Sequence, residues 1–327
     1  MVNPDFTVAV RAYNAEQRLP NILDKLRSQI DTEKICWDIV IVDNNSTDNT
    51  AKIIQEYQSS QPESCPIKYY FEPRQGASYA RQRAMQEARG SLVGFLDDDN
   101  LPSPDWVANA HAFGVSHPKA GAYSGVVHGI YEVEPPQNFR RIASCLAIIE
   151  WSSKDAFCFN SQDPLKTGLL PPGAGLVIRK KAWEENAIKN LKLRGPVQDS
   201  LNVKGEDLEA LWYIRKAGWE IWFNPEMRIY HQIPKHRLEK EYLTRLLRGV
   251  GLSRHFTRML RHQPWQRPLV IPLYMANDLR KAINHKLKYG KELDTDIVAA
   301  SEMEMYWGSV ESHLRALGKF LKVEKTE

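Results

Sequence analysis

The stretch "WDIVIVDNNSTDNT" (37–50) decides the architecture. Ile39 to Val42 is a nearly continuous run of β-branched residues, the pattern of a strand buried on both faces of a sheet. The chain turns polar at Asp43, and "TAKIIQEYQ" (50–58) starts a helix. The same plan recurs on either side. "FTVAV" (6–10) leads through the polar turn "RAYNAEQRL" to a helix from Pro20 to Ser28, with Ile22, Leu23 and Leu26 apolar. "IKYYFEP" (67–73) leads to a helix in "ASYARQRAMQEAR" (77–89), and "SLVGFLDDD" (91–99) is a fourth strand. Such alternation predicts an α/β fold: a single Rossmann-like, mostly parallel sheet flanked by helices, with ligands expected at the carboxyl ends of the strands.

Asp97, Asp98 and Asp99 stand side by side at such an end. Adjacent carboxylates repel and resist desolvation, so the cluster costs stability unless a cation or a set of donors answers it. Asp43 closes a second strand, and acids from two strands at one sheet edge can share a ligand; a solvated loop is the plain alternative. No GxGxxG follows the first strand and no GxxxxGK[ST] occurs, so both the dinucleotide fingerprint and the P-loop are excluded. "DDDNLPSPDW" lacks the alternating acids, central glycine and terminal Glu of a calcium loop.

At 327 residues, with 43% hydrophobic and 26% charged residues, the chain has the composition of a protein folding around a core. Cys36, Cys65, Cys145 and Cys158 show neither CxxC nor zinc-type spacing, which argues for reduced thiols, a cytoplasmic setting and no structural metal. "MVNPDFTVAVRAYN" has no signal-peptide pattern, and no run approaches the roughly 18 apolar residues of a membrane span. Charge is uneven. Lys235 to Tyr289 holds 13 Lys and Arg against three acids, although the whole chain carries only +4.

The blocks "VAVRAYNAEQRLPNILDKLRSQ", "DIVIVDNNSTDNTAKIIQEY", "GASYARQRAMQEARGSLVGFLDDDN" and "GEDLEALWYIRKAGWEIWFNPEMRIYHQIP", in this order over about residues 5 to 237, resemble the family 2 glycosyltransferases of GT-A fold. Within that group the chain is most similar to bacterial polysaccharide-assembly enzymes of the cyanobacterial hormogonium type. The resemblance implies sugar transfer, with inversion, from a nucleotide diphosphate donor to a hydroxyl of a glycan or lipid-linked acceptor. It places Ala12, Tyr13 and Asn14 beneath the nucleobase, with Tyr13 stacking on it unless it is a structural aromatic. It makes Asp43 the acceptor for a uracil N–H, although a helix-capping Asp43 reads equally from sequence. Gly76, Ser78 and Arg81 fall on the diphosphate segment, where Arg81 pairs with anionic oxygen or with a strand-end acid; Arg83 is an alternative to it, and a surface ion pair is the plain reading of either.

The acidic triple corresponds to the family's DxD motif, which holds Mn²⁺ or Mg²⁺ together with phosphate. Asp99 is the first metal ligand implied, Asp97 the second, and Asp98 is assigned to the ribose hydroxyls or to orientation. His231, 24 residues after Asp207, joins the metal or the diphosphate. Gly173 to Gly175 let the backbone approach the sugar. Asp207, at the start of a helix in "KGEDLEALWYIRKAG" (204–218), is the general base implied, with Glu206 beside it in the acceptor site. "WEIWFNPEMRIYHQIP" (219–234) reads as a strand pair.

These expectations give a catalytic domain over 1–237 and a basic, mainly helical extension over 238–327. Helical apolar spacing with opposed arginines, broken by prolines at 264, 268 and 272, suits either a peripheral contact with an anionic membrane at the inner face of the plasma membrane or helices packed on the domain with a solvated basic face. No nucleic-acid module is recognisable, so nucleic acid is not an expected partner. Two other functions stay open: a sugar-phosphate nucleotidyltransferase, against which "VRAYNAEQRLPN" offers no glycine for a triphosphate loop, and a non-catalytic nucleotide-sugar or glycan-binding module.

Overall fold

The computed structural model describes residues 3–60, 65–151, 153–160, 170–186 and 205–323. The chain divides into two compact units. Unit 1 comprises 1–130, 147–194 and 206–232; unit 2 comprises 131–146, 195–205 and 233–327.

The elements run β1 (Phe6–Ala12), α1 (Leu19–Arg27), β2 (Trp37–Asp43), α2 (Thr50–Ser60), β3 (Ile67–Phe71), α3 (Ala77–Glu87), β4 (Leu92–Asp97), β5 (Asn100–Pro102), α4 (Trp106–Ser116) and β6 (Ala120–Tyr131). They continue as β7 (Phe157–Cys158), β8 (Val177–Arg179), α5 (Lys180–Asn186), α6 (Glu206–Lys216) and β9 (Glu220–Ile233). Among the described residues these strands form one sheet in the order β3-β2-β1-β4-β8-β6-β9-β5, with β7 paired to β9. β3, β2, β1 and β4 run parallel to one another, as the strand-helix alternation requires. The other half is antiparallel, through β4 with β8, β8 with β6, and β5 and β7 with β9.

Every residue of β2 is buried, which is why its sequence is apolar on both faces. Helices cover the sheet because their apolar stripes need a partner: Leu19, Ile22, Leu23 and Leu26 of α1 are all fully enclosed. The second core joins β4 and β8 to α6 through Phe95, Ile178, Leu211 and Phe223.

Two readings are corrected. Within 219–234 there is one long strand, β9 (Glu220–Ile233), in place of a strand pair; Pro225 does not end it, and the strand pairs with β7 at Trp222 and Phe223 and with β5 at Ile229 to His231. Pro272 likewise lies inside a helix instead of breaking it.

Unit 2 contains α7 (Lys240–Met259), α8 (Arg267–Tyr289) and α9 (Ile297–Val323). α7 and α9 cross at glycines. A Cβ on Gly308 would lie 2.7 Å from the Arg248 carbonyl, and one on Gly251 would lie 2.9 Å from the Ser309 amide nitrogen, so the two backbones meet where neither carries a side chain. The interior of the bundle is partly polar. Asp278 of α8 and His313 of α9 are fully buried, Asp278 accepts hydrogen bonds of 2.5 and 2.9 Å from Arg258, and His313 Nε2 stands 3.3 Å from its carboxylate. No helix among the described residues is long and apolar enough to cross a membrane.

Candidate active site

The carboxyl edge of the parallel strands gathers the polar groups. β1 ends at Ala12 against Asp43 of β2, and Arg11 lies in register with Asp97 of β4. Register therefore brings three separated sequence blocks to one edge. Each acid of the triple has its own partner. Arg11 Nε donates to Asp97 at 2.9 Å, and Arg11 Nη1 also reaches the Ala77 carbonyl at the start of α3 at 3.4 Å. Arg18 Nη2 donates to Asp98 at 2.8 Å, and the Tyr13 amide lies 3.4 Å from the same carboxylate. Burial, reinforced by Asp99 and Asp97, pushes the Asp98 carboxyl up to about 6 against the pull of Arg18. Asp99 is buried, accepts from Asn100 Nδ2 at 2.8 Å, and has His231 Nε2 at 3.4 Å from its outer oxygen. The pairing of Asn100 with His231 between β5 and β9 produces that contact.

Asp43 is nearly inaccessible and engaged on both oxygens, by the Ser46 amide at 2.9 Å and by the Tyr69 hydroxyl at 3.0 Å. It holds the β2–α2 turn, while Asp48 caps α2 through the Thr50 amide at 3.0 Å. Burial and the Asp43 charge push the Tyr69 phenol up to about 12. Ala12 is buried and its carbonyl accepts from the Asn44 amide. Tyr13 is half-buried beside it. Asn14 adopts a left-handed φ of 45°, and its side chain accepts from the Thr47 amide at 2.8 Å, so it ties the first turn to the second. Asn44 in turn accepts from the Gly76 amide at 2.8 Å and donates to the Glu72 and Arg74 carbonyls, fixing the entry to α3.

Arg81, on α3, is almost wholly buried over the Phe95 ring and forms an ion pair with Asp207 at the start of α6. Gly173 sits against this pair: a Cβ there would collide with the Asp207 carboxylate and come within 2.9 Å of Arg81 Nη2. Gly175, with φ of 65°, faces Ile229 of β9. The Glu206 side chain lies outside the described residues, as does Lys204 of the quoted stretch 204–218. Asp97 connects through Arg11 to the first residue of α3, and Arg81 on that helix connects to Asp207 and Gly173.

Sequence reading missed Arg11, Arg18, Asn44 and Tyr69. Arg11 carried a signal, since a charge inside "VAVRA" must find a partner where the strand is buried. The other three lie in polar turns or among half-buried strand residues, where only the folded register shows what they face.

Among the described residues no cluster of three or more His, Cys, Asp or Glu side chains is arranged to hold a metal by itself. The donor chemistry at the edge fits a shared one. Oxygen and imidazole donors suit Mn²⁺, and Asp99 and His231, 3.4 Å apart, stand close enough for both to reach one ion. An ion there would take its remaining ligands from water and phosphate.

The structure is thus an α/β sheet with its acids gathered at the carboxyl edge of the parallel strands. The glycosyl transferase family 2 profile matches residues 7–184, more than half of the chain, and the protein belongs to that family. Asp207 and His231 lie beyond the matched span. The chain is 30% identical over 122 residues to the putative teichuronic acid biosynthesis glycosyltransferase TuaG of Bacillus subtilis, covering 37% of this chain and 46% of that protein. It is 30% identical over 108 residues to the poly(ribitol-phosphate) beta-N-acetylglucosaminyltransferase TarS of Staphylococcus aureus, covering 33% of this chain and 18% of that one. The matches thus span less than half the length of these relatives. Mannosyltransferase PcManGT from Pyrobaculum calidifontis, solved with GDP-Man and Mn²⁺, superimposes with a TM-score of 0.60 at 20% identity, over 96% of this chain and 88% of that one. That likeness shows the shared GT-A fold.

Proposed function

We propose that this protein is a metal-dependent, inverting glycosyltransferase that moves a sugar from a nucleotide diphosphate donor, a UDP-sugar, to a hydroxyl of a glycan or lipid-linked acceptor in polysaccharide assembly, with 1–237 as its catalytic domain and 238–327 as a helical extension. The observation that carries the reading is the Arg81–Asp207 pair packed on Gly173, connected through α3 and Arg11 to the acidic end of β4. Membership of family 2 and the nucleotide sugar bound to PcManGT support the donor class.

In this reading Tyr13 and Asp43 frame the base, Asp98 meets the ribose, and Asp99 with His231 would hold Mn²⁺ or Mg²⁺, Asp97 taking part when Arg11 shifts to phosphate. The metal's contribution is to neutralise charge on the departing diphosphate. Asp207 accepts the proton of the acceptor hydroxyl as the new C1–O bond forms. The bond from C1 to the diphosphate breaks with its electron pair on the leaving oxygen, and a single displacement inverts C1. Arg81 fixes the base in place, and Gly173 leaves room for the sugar.

A screen of nucleoside diphosphates and nucleotide sugars for thermal stabilisation with Mn²⁺ tests this. A true donor at about a hundred times its Kd should stabilise by about 2.7 kcal/mol and raise Tm by several degrees. No shift with any nucleotide, with or without metal, sinks the proposal.

A further inference from the structure

α8 is turned the wrong way round for a helix in water. Leu269, Leu273 and Leu287 are 68%, 70% and 78% exposed, and Ile283 is 47% exposed. At 3.6 residues per turn these four, with Ala276, fall within about 80° of arc, while Asp278, Ala282 and His285 occupy the opposite, buried face. Trp265, 71% exposed in the turn just before the helix, extends the row. Single exposed leucines are ordinary; a row along six turns is the mark of a surface that meets something apolar.

The charge around the row selects the partner. Within Arg267–Tyr289, five Lys and Arg stand against the single Asp278, and that acid is buried against Arg258. Arg280, Lys281 and Lys286 are exposed on or beside the row. A second copy would bring an equal positive charge onto this face, which opposes self-association. An anionic lipid surface answers both features, taking the leucines and Trp265 into the acyl boundary and the basic side chains into the headgroups. We propose that the outward face of α8 is a docking surface for an anionic membrane, on which the helix lies without crossing it. The proposal does not rest on the transfer chemistry, since it concerns a separate face and requires no nucleotide.

The test is sedimentation of the full chain with phosphatidylglycerol-containing vesicles and with pure phosphatidylcholine vesicles, without nucleotide, at low and high salt. The expected result is binding to the anionic vesicles that weakens about tenfold or more as salt rises toward 0.5 M, with little binding to phosphatidylcholine. Leu269→Ser/Leu273→Ser/Leu287→Ser and Arg280→Glu/Lys281→Glu/Lys286→Glu should each lose that binding while keeping the wild-type circular dichroism and Tm, because the altered side chains are exposed. Three results would overturn the proposal: no vesicle binding by the wild type, binding by both variants as strong as the wild type's, or light scattering that shows a dimer dissociated by the leucine substitutions. A gain of binding only with an acidic protein or with RNA would overturn it as well.

Discussion

At the scale of single residues, the site depends on how an ionised group is held. Asp207 is placed by Arg81, so replacing it with Asn keeps the shape and removes the proton acceptor. Asp207→Asn should lower kcat by about 10² to 10⁴ while donor affinity, read by titration, stays near the wild-type value; unchanged turnover would leave only a binding module. Gly173 carries a stricter demand, since the smallest added side chain meets the Asp207 carboxylate and Arg81. Gly173→Ala should displace the pair, lower kcat at least tenfold and cost about 1 to 3 kcal/mol of stability, and a fully active Gly173→Ala would disprove the packing role. The acids themselves were legible from "FLDDDN" and "GEDLEA", because strand ends and helix starts announce themselves in sequence. Their partners were not. Arg18 reaches Asp98 across 80 residues, and only the folded register brings the two together.

At the scale of elements, parallel pairing brings Arg11 to Asp97, and one strand carries His231 to Asp99. The stretch that reads as a strand pair in sequence is the single strand β9, whose neighbours differ on either side of Pro225, β7 before it and β5 after it. In the helical unit, Gly251 and Gly308 set the approach of α7 to α9. A methyl group at Gly308 has backbone on the other side, so Gly308→Ala should cost roughly 1 to 3 kcal/mol in urea unfolding. A neutral outcome would mean that the helices can separate without loss.

At the scale of the whole molecule, stability depends on pH through the helical bundle. His255 of α7 faces His313 of α9, with Arg258 and Arg267 near it, and burial followed by these charges lowers its pKa to about 4. Unfolded, it titrates near 6.5, so the unfolded chain binds more protons between about pH 6.5 and 4, and stability is lost as the pH falls through that window. Asp98 works in the opposite sense, its raised pKa lessening a penalty as the pH falls through about 6. A comparison with His255→Asn, whose amide can either donate to or accept from His313, isolates the first effect: the variant's Tm should fall less than the wild type's between pH 7.5 and 5, and parallel curves would exclude His255 as the cause. By itself the sequence determined the strand-helix order, the parallel half of the sheet and the acids at its edge, because hydrophobic period and turn chemistry are local. Only the tertiary structure decided which cation holds which carboxylate, that Arg81 lies on Asp207, that Pro272 sits within a helix, and that α8 turns its leucines outward. Those are outcomes of register and packing between distant segments, where burial and charge pairing are settled jointly.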